Sequence, residues 1–128
     1  MFHHGGIILS DYTPDNWVIV KIKGDDPHYR VLAGWSGSYL YGSSWKLNSG
    51  ITRVEEFAED FTHNNRTHHI EYFKFYGKSG SCYVCNKECY ELRMNTVGIW
   101  AQLEKLHGDK IEMMPEETDW LNVDWIIK

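Results

Sequence analysis

The run Trp17-Val18-Ile19-Val20-Lys21-Ile22-Lys23 is rich in β-branched residues and alternates, with Val18, Val20 and Ile22 on one side. It predicts a strand with one buried face. Turn signals bound it on both sides, Asp11-Tyr12-Thr13-Pro14-Asp15-Asn16 before and Gly24-Asp25-Asp26-Pro27 after. Outward from this stretch, His28 to Ala33 reads as the next strand. Further strand segments are predicted at Tyr39 to Tyr41, Ser44 to Leu47, Ile51 to Phe57, His69 to Tyr76 and Ser81 to Val84, with a short segment at Ile111 to Met114 and a final strand at Val123 to Ile127. The acidic and polar stretch Glu59 to Arg66 reads as a separator between two groups of strands.

One helix interrupts this pattern. Asn95 can cap it, and Val97, Ile99, Trp100, Leu103 and Leu106 recur at three-to-four spacing. Lys105 and His107 suit the negative end of the dipole, and Gly108 can close the last turn. Many short strands with one helix over about residues 95–107 predict an α+β fold, mainly antiparallel sheet or a small partly open barrel with one packed helix. At 128 residues, residues 1–128 are read as a single domain.

Composition narrows the function classes. Apolar residues are 42% and charged residues 24% of the chain, a globular balance, and the net charge of −5 offers no general attraction for a nucleic acid polymer. No apolar run is long enough to span a bilayer, and the start Met1-Phe2-His3-His4 lacks the basic character of a signal peptide, so a cytoplasmic location is expected. Three cysteines is an odd number and suits reduced thiols. The aromatic share is high at 15%, with six Trp, eight Tyr and five Phe. Some of those rings are expected at a surface where something docks.

Two hairpin tips share the pattern Gly-x-Ser-Gly-Ser, at Gly34 to Ser38 and Gly77 to Ser81. Neither carries a catalytic motif. A phosphate loop ending at Gly77-Lys78-Ser79 would need a glycine where Tyr72 stands and a helix to follow, and a nucleophile elbow at Ser36 would need a glycine where Ser38 stands. With Gly77 to Gly80 as the tip, Phe75 faces Cys82. This pairing puts Cys82 with Phe73, Phe75 and Val84, and leaves Tyr72, Lys74, Tyr76, Tyr83 and Cys85 on the opposite face. Three tyrosines and a lysine on one face can stack a planar ring and neutralise a phosphate, or bury themselves against another protein. Arg30, Trp35, Ser36, Ser38, Tyr39, Tyr41 and Trp45 offer the same chemistry around the first hairpin, and Lys78 adds a cation at the second tip.

The best metal-ligand spacing is His63, His68, Cys82 and Cys85, with Cys89 and His69 in reserve. A zinc site there would force the chain out of strand geometry at Val84, so the thiols are read as free and no cofactor is expected. Seven histidines without a fixed carboxylate partner and no spaced carboxylate pair or triad leave a non-enzymatic reading.

The stretch Gly34-Trp35-Ser36-Gly37-Ser38-Tyr39-Leu40-Tyr41-Gly42-Ser43-Ser44-Trp45-Lys46-Leu47-Asn48-Ser49-Gly50, with the close Asp119-Trp120-Leu121-Asn122-Val123-Asp124-Trp125, resembles small accessory proteins encoded by tailed bacteriophages. The resemblance implies a non-enzymatic anti-defence role in the host cytoplasm, binding a host defence protein or its nucleotide signal. Three functions follow as expectations: sequestering a small anionic nucleotide-like ligand, inhibiting a host protein through an aromatic surface that could also form a homodimer, or binding zinc as a small module.

Overall fold

The computed structural model describes residues 11–36 and 44–126. Among these residues seven strands form two open antiparallel sheets, and one α-helix packs on the first. β1 (Asn16–Ile22), β2 (His28–Trp35), β3 (Ser44–Leu47) and β7 (Ile111–Met113) make a sheet of order β3-β2-β1-β7. β4 (Ile51–His63), β5 (Arg66–Gly77) and β6 (Cys82–Asn86) make the second, of order β4-β5-β6. The fold is therefore α+β with open sheets rather than a barrel. The predicted strand at Tyr39 to Tyr41 lies outside the described residues, as do Ser38 and the first ten residues.

The single buried face expected of β1 is corrected by the structure: both faces are buried, and the alternation sorts the side chains between two cores. Trp17 lies opposite Ala33 and Ile19 opposite Val31, and this face packs against Phe75, Tyr83, Cys85, Trp120 and Trp125 in the layer between the sheets. Val18 and Val20 point the other way and meet Leu32, Ile111 and the helix residues Ile99, Trp100 and Leu103. The order of layers is thus helix, first sheet, second sheet. Residue 12 ties the two sheets: Tyr12 N–H donates to Cys82 O (2.9 Å) and Tyr12 O accepts from Val84 N–H (2.8 Å) before the chain enters β1.

The inter-sheet layer is built largely from rings. Trp17 meets Tyr90 edge-on at 4.7 Å between centroids, Tyr29 meets Trp125 at 5.1 Å, and Trp120 stacks on Trp125 at 6.3 Å. Each such pair contributes about 0.5–1.5 kcal/mol beyond the area it buries. Most of the aromatic excess is therefore spent on the interior, with Trp45 and Phe61 among the exceptions at 45% and 46% exposed.

Several expectations need correction. α1 spans Met94–His107, one residue earlier than read, so Asn95 falls inside the helix and Arg93 is the N-cap, its N–H donating to the Thr96 hydroxyl (2.8 Å). Its buried stripe is narrower than the periodicity suggested, since Val97 is 50% and Leu106 77% exposed. Over residues 123–126 the final strand does not form: a 3-10 turn at Trp120–Asn122, held by Asn122 N–H on Asp119 O and Asn122 Nδ2 on Asp119 Oδ2, turns Trp120 and Trp125 into the inter-sheet core, and Ile127 lies outside the described residues. The stretch Glu59 to Arg66 is no separator. It is the end of one long hairpin, closed by Asn64 and Asn65 at φ 53° and 62°, the left-handed pair of a type I′ turn.

Candidate functional site

The hairpin of β4 and β5 outgrows its sheet. β6 pairs with β5 only from Tyr72↔Asn86 to Tyr76↔Cys82, whereas β4 and β5 stay in register out to His63↔Arg66. Beyond Tyr72 the two strands continue as a ribbon in which every residue from 58 to 69 is exposed. At about 3.3 Å per residue this arm reaches roughly 20 Å past the body.

One face of the hairpin carries a ladder of rings and cations. The Arg53 guanidinium lies 3.7 Å from the Tyr76 ring centroid, the Lys74 ammonium 5.5 Å from that of Phe57, Phe57 stacks on Tyr72 (5.0 Å, 17°) and Phe61 stacks on His68 (5.0 Å, 21°). All are direct or adjacent cross-strand pairs, where such contacts are strongest. Tyr76 donates its hydroxyl proton to Glu55 Oε1 (2.6 Å), which holds the Glu55 carboxyl below its ordinary range, while burial and that same bond raise the Tyr76 phenol.

The opposite face of the arm is an ion network. His69 lies between Asp60 Oδ1 (2.6 Å) and Glu71 Oε2 (3.2 Å), and its pKa is raised by those two hydrogen bonds, Asp60 first. Lys87, at the base, bonds the Glu56 carboxylate and Glu71 Oε1 (3.0 Å) and sits over the Phe73 ring at 4.7 Å. Burial works against the Lys87 charge, but the two carboxylates outweigh it and its pKa is raised. Where β6 stops, a cavity of about 260 Å³ opens between β5 and the 3-10 helix Lys87–Cys89, lined by His69, Ile70, Glu71, Asn86, Lys87 and Glu88.

The residues expected to form one ligand site are dispersed. Tyr72 and Lys74 lie on the outer face of the second sheet as read, but Tyr83 does not. The loop between Gly77 and Ser81 holds three residues, with Gly77 N–H bonded to Ser81 O and Gly80 at φ 90°, so Phe75 pairs with Tyr83 and not with Cys82. That one-residue difference flips β6. Tyr83 and Cys85 enter the inter-sheet core, while Cys82 and Val84 join Tyr72, Lys74 and Tyr76. Lys74 is buried and pairs with Asp11. Arg30 donates from Nε to Asn48 O (2.5 Å), and burial lowers its pKa with Tyr83 opposing. Lys78 caps the second hairpin against Gly50, its N–H on Gly50 O (2.9 Å).

Around the first hairpin, Trp35 meets Tyr12 edge-on at 6.3 Å and Ser36 N–H donates to Asp15 Oδ2 (2.6 Å). Trp45 sits apart on β3, opposite Gly34. Ser38, Tyr39 and Tyr41 are outside the described residues. His63 and His68 belong to the arm tip, Cys82 to the outer face, Cys85 to the core and Cys89 to the 3-10 helix; among the described residues no group of three or more His, Cys, Asp or Glu side chains is placed to hold a metal ion. Among those residues, too, no helix is long and apolar enough to cross a membrane.

Phe57 and Phe61 were not singled out in the sequence. The available signal was Phe57 and Phe61 four apart, an even spacing that keeps both on one strand face, followed by the Asn-Asn pair. No protein-family model matches the chain, and neither a curated protein nor a solved structure matches it.

Proposed function

We propose that this chain is a non-enzymatic module that grips a partner protein with the arm formed by β4 and β5. One observation carries the reading: a ribbon exposed along residues 58 to 69 presents Phe61, stacked on His68, at its far end. A two-stranded ribbon is marginal in water, and ordering one costs about 1–2 kcal/mol per residue in backbone entropy. A partner that covers the stacked rings supplies the burial that the ribbon lacks. The resemblance to phage accessory proteins extends the proposal to a host defence protein as the class of partner.

Capture from a lysate of the cells in which the protein acts tests this, comparing the natural chain with Phe61→Ser. A stoichiometric partner retained by the first and lost by the second supports the arm; equal capture by both defeats it. Circular dichroism of the variant verifies that its fold is intact.

A second reading, enclosure of a small anionic nucleotide-like ligand, is favoured by the cluster of Tyr12, Trp35 and Lys46, in which the Lys46 ammonium lies 5.3 Å from the Tyr12 ring centroid. Calorimetric titration with cyclic and linear nucleotides tests it, and absence of heat from all of them removes it.

A further inference from the structure

The side of β5 that β6 leaves uncovered has a definite hydrogen-bonding pattern. Gly77 N–H bonds Ser81 O across the β5 and β6 ladder. Backbone groups in an antiparallel strand alternate between its two neighbours, so odd-numbered β5 residues address the β6 side and even-numbered ones address β4. The opposite side of β6 agrees: Cys82 O and Val84 N–H are bonded to Tyr12 and hence face away from β5. Carried past Tyr72, the pattern directs the N–H and C=O groups of Glu71, His69 and Thr67 to an edge with no backbone partner among the described residues. The cavity at the end of β6 lies along this same edge.

We infer that this edge takes up an extended segment of a partner protein as an added strand, in line with β6, and that the segment alternates basic and apolar residues. The inference rests on the arm being the partner-binding element and names how the partner is held. Charge complementarity selects the occupant: residues 55 to 71 carry Glu55, Glu56, Glu59, Asp60 and Glu71 against Arg66. Residues of an added strand opposite Thr67, His69 and Glu71 share the face on which Glu56, Asp60, Glu71 and the cavity's Glu88 outnumber His69 and Lys87, so the carboxylates remain in excess there and basic side chains are stabilised. Those in between share the face of Ile70 and the Phe61–His68 stack, which suits apolar side chains. Main-chain bonds provide the affinity and the alternating side chains the selectivity, as in strand addition generally.

The test is amide hydrogen exchange on the full chain with the blocked peptide Lys-Val-Lys-Val-Lys-Val. At nine-tenths occupancy, exchange at Thr67, His69 and Glu71 is expected to slow about tenfold, while Arg66, His68 and Ile70, already bonded to β4, change little. The corresponding Glu-Val peptide, and the Lys-Val peptide N-methylated at its lysines, should have no effect. Unchanged exchange at those three amides, or slowing confined to the outward amides of β4 at Ala58, Asp60 and Thr62, overturns the inference. Capture of a partner through Phe61 with no such protection leaves the arm proposal standing and removes only the strand addition.

Discussion

The Lys74 ammonium lies 3.7 Å from Asp11 Oδ2, with the two side chains 8% and 3% exposed. The pair joins the centre of β5 to the residue beside Tyr12, where the chain passes from one sheet to the other. Removing a countercharge from a buried ammonium is costly, while replacing both ions with apolar groups is not. Asp11→Ala is expected to lower the unfolding free energy by about 3 kcal/mol, and adding Lys74→Met to recover most of that loss, as read by urea denaturation. A loss below about 0.5 kcal/mol would mean that water screens the pair.

His69 makes the arm sensitive to pH. Its pKa is raised by the hydrogen bond to Asp60 and then by that to Glu71, with Lys87 and Glu56 completing the charges on that face. Because the folded value lies above the unfolded one, the stabilisation is fully present below the ordinary imidazole value of about 6.5 and is lost as pH rises through the raised value. An NMR titration should give His69 a midpoint above about 6.5, moved down by Asp60→Asn. An unmoved midpoint in that variant would remove Asp60 as the cause.

Asn64 and Asn65 both occupy left-handed backbone, which β-branched residues resist. Asn65→Val should destabilise the arm by about 1–2 kcal/mol, while Asn65→Gly should be neutral or favourable by a few tenths. Exchange rates of the amides bonded between β4 and β5 report the difference, and the near-ultraviolet circular dichroism of the core rings should not change. Equal rates in the two variants would contradict the turn geometry.

Burial pushes the Cys82 thiol up to about 11 and the Cys85 thiol well above its ordinary value; burial also raises Cys89. The thiolate is the reactive form. With iodoacetamide at mildly alkaline pH, Cys85 should stay unmodified in the folded protein and react on unfolding, with mass spectrometry as the readout. Labelling of native Cys85 at the rate of a small free thiol would contradict its place in the core.

Residues that bury something were legible from the sequence. Val18, Val20 and Ile22 alternate because one face of β1 meets the helix, and Ile99, Trp100 and Leu103 recur because they meet it from the other side. Trp120 and Trp125 have a strand-like setting, but the Asp119 and Asn122 bonds make a local turn that alternation does not report. The arm left little trace because neither of its faces is covered, so polar and apolar residues carry no period that burial would impose. For the site, Tyr72 and Lys74 were placed on the correct face because β5 pairs by simple alternation. Tyr83 was misplaced because loop length sets the register, and an extra residue before the pairing resumes at Ser81 inverts the strand that follows.

A ribbon anchored at one end fails from its free end. Warming should open the pairs of β4 and β5 in sequence from Asn64 and Asn65 back to Tyr72, where β6 joins and the layer of indoles begins. There the opening halts until the whole body gives way, so one continuous hairpin contains two melting regimes. Indole fluorescence would register only the later of them.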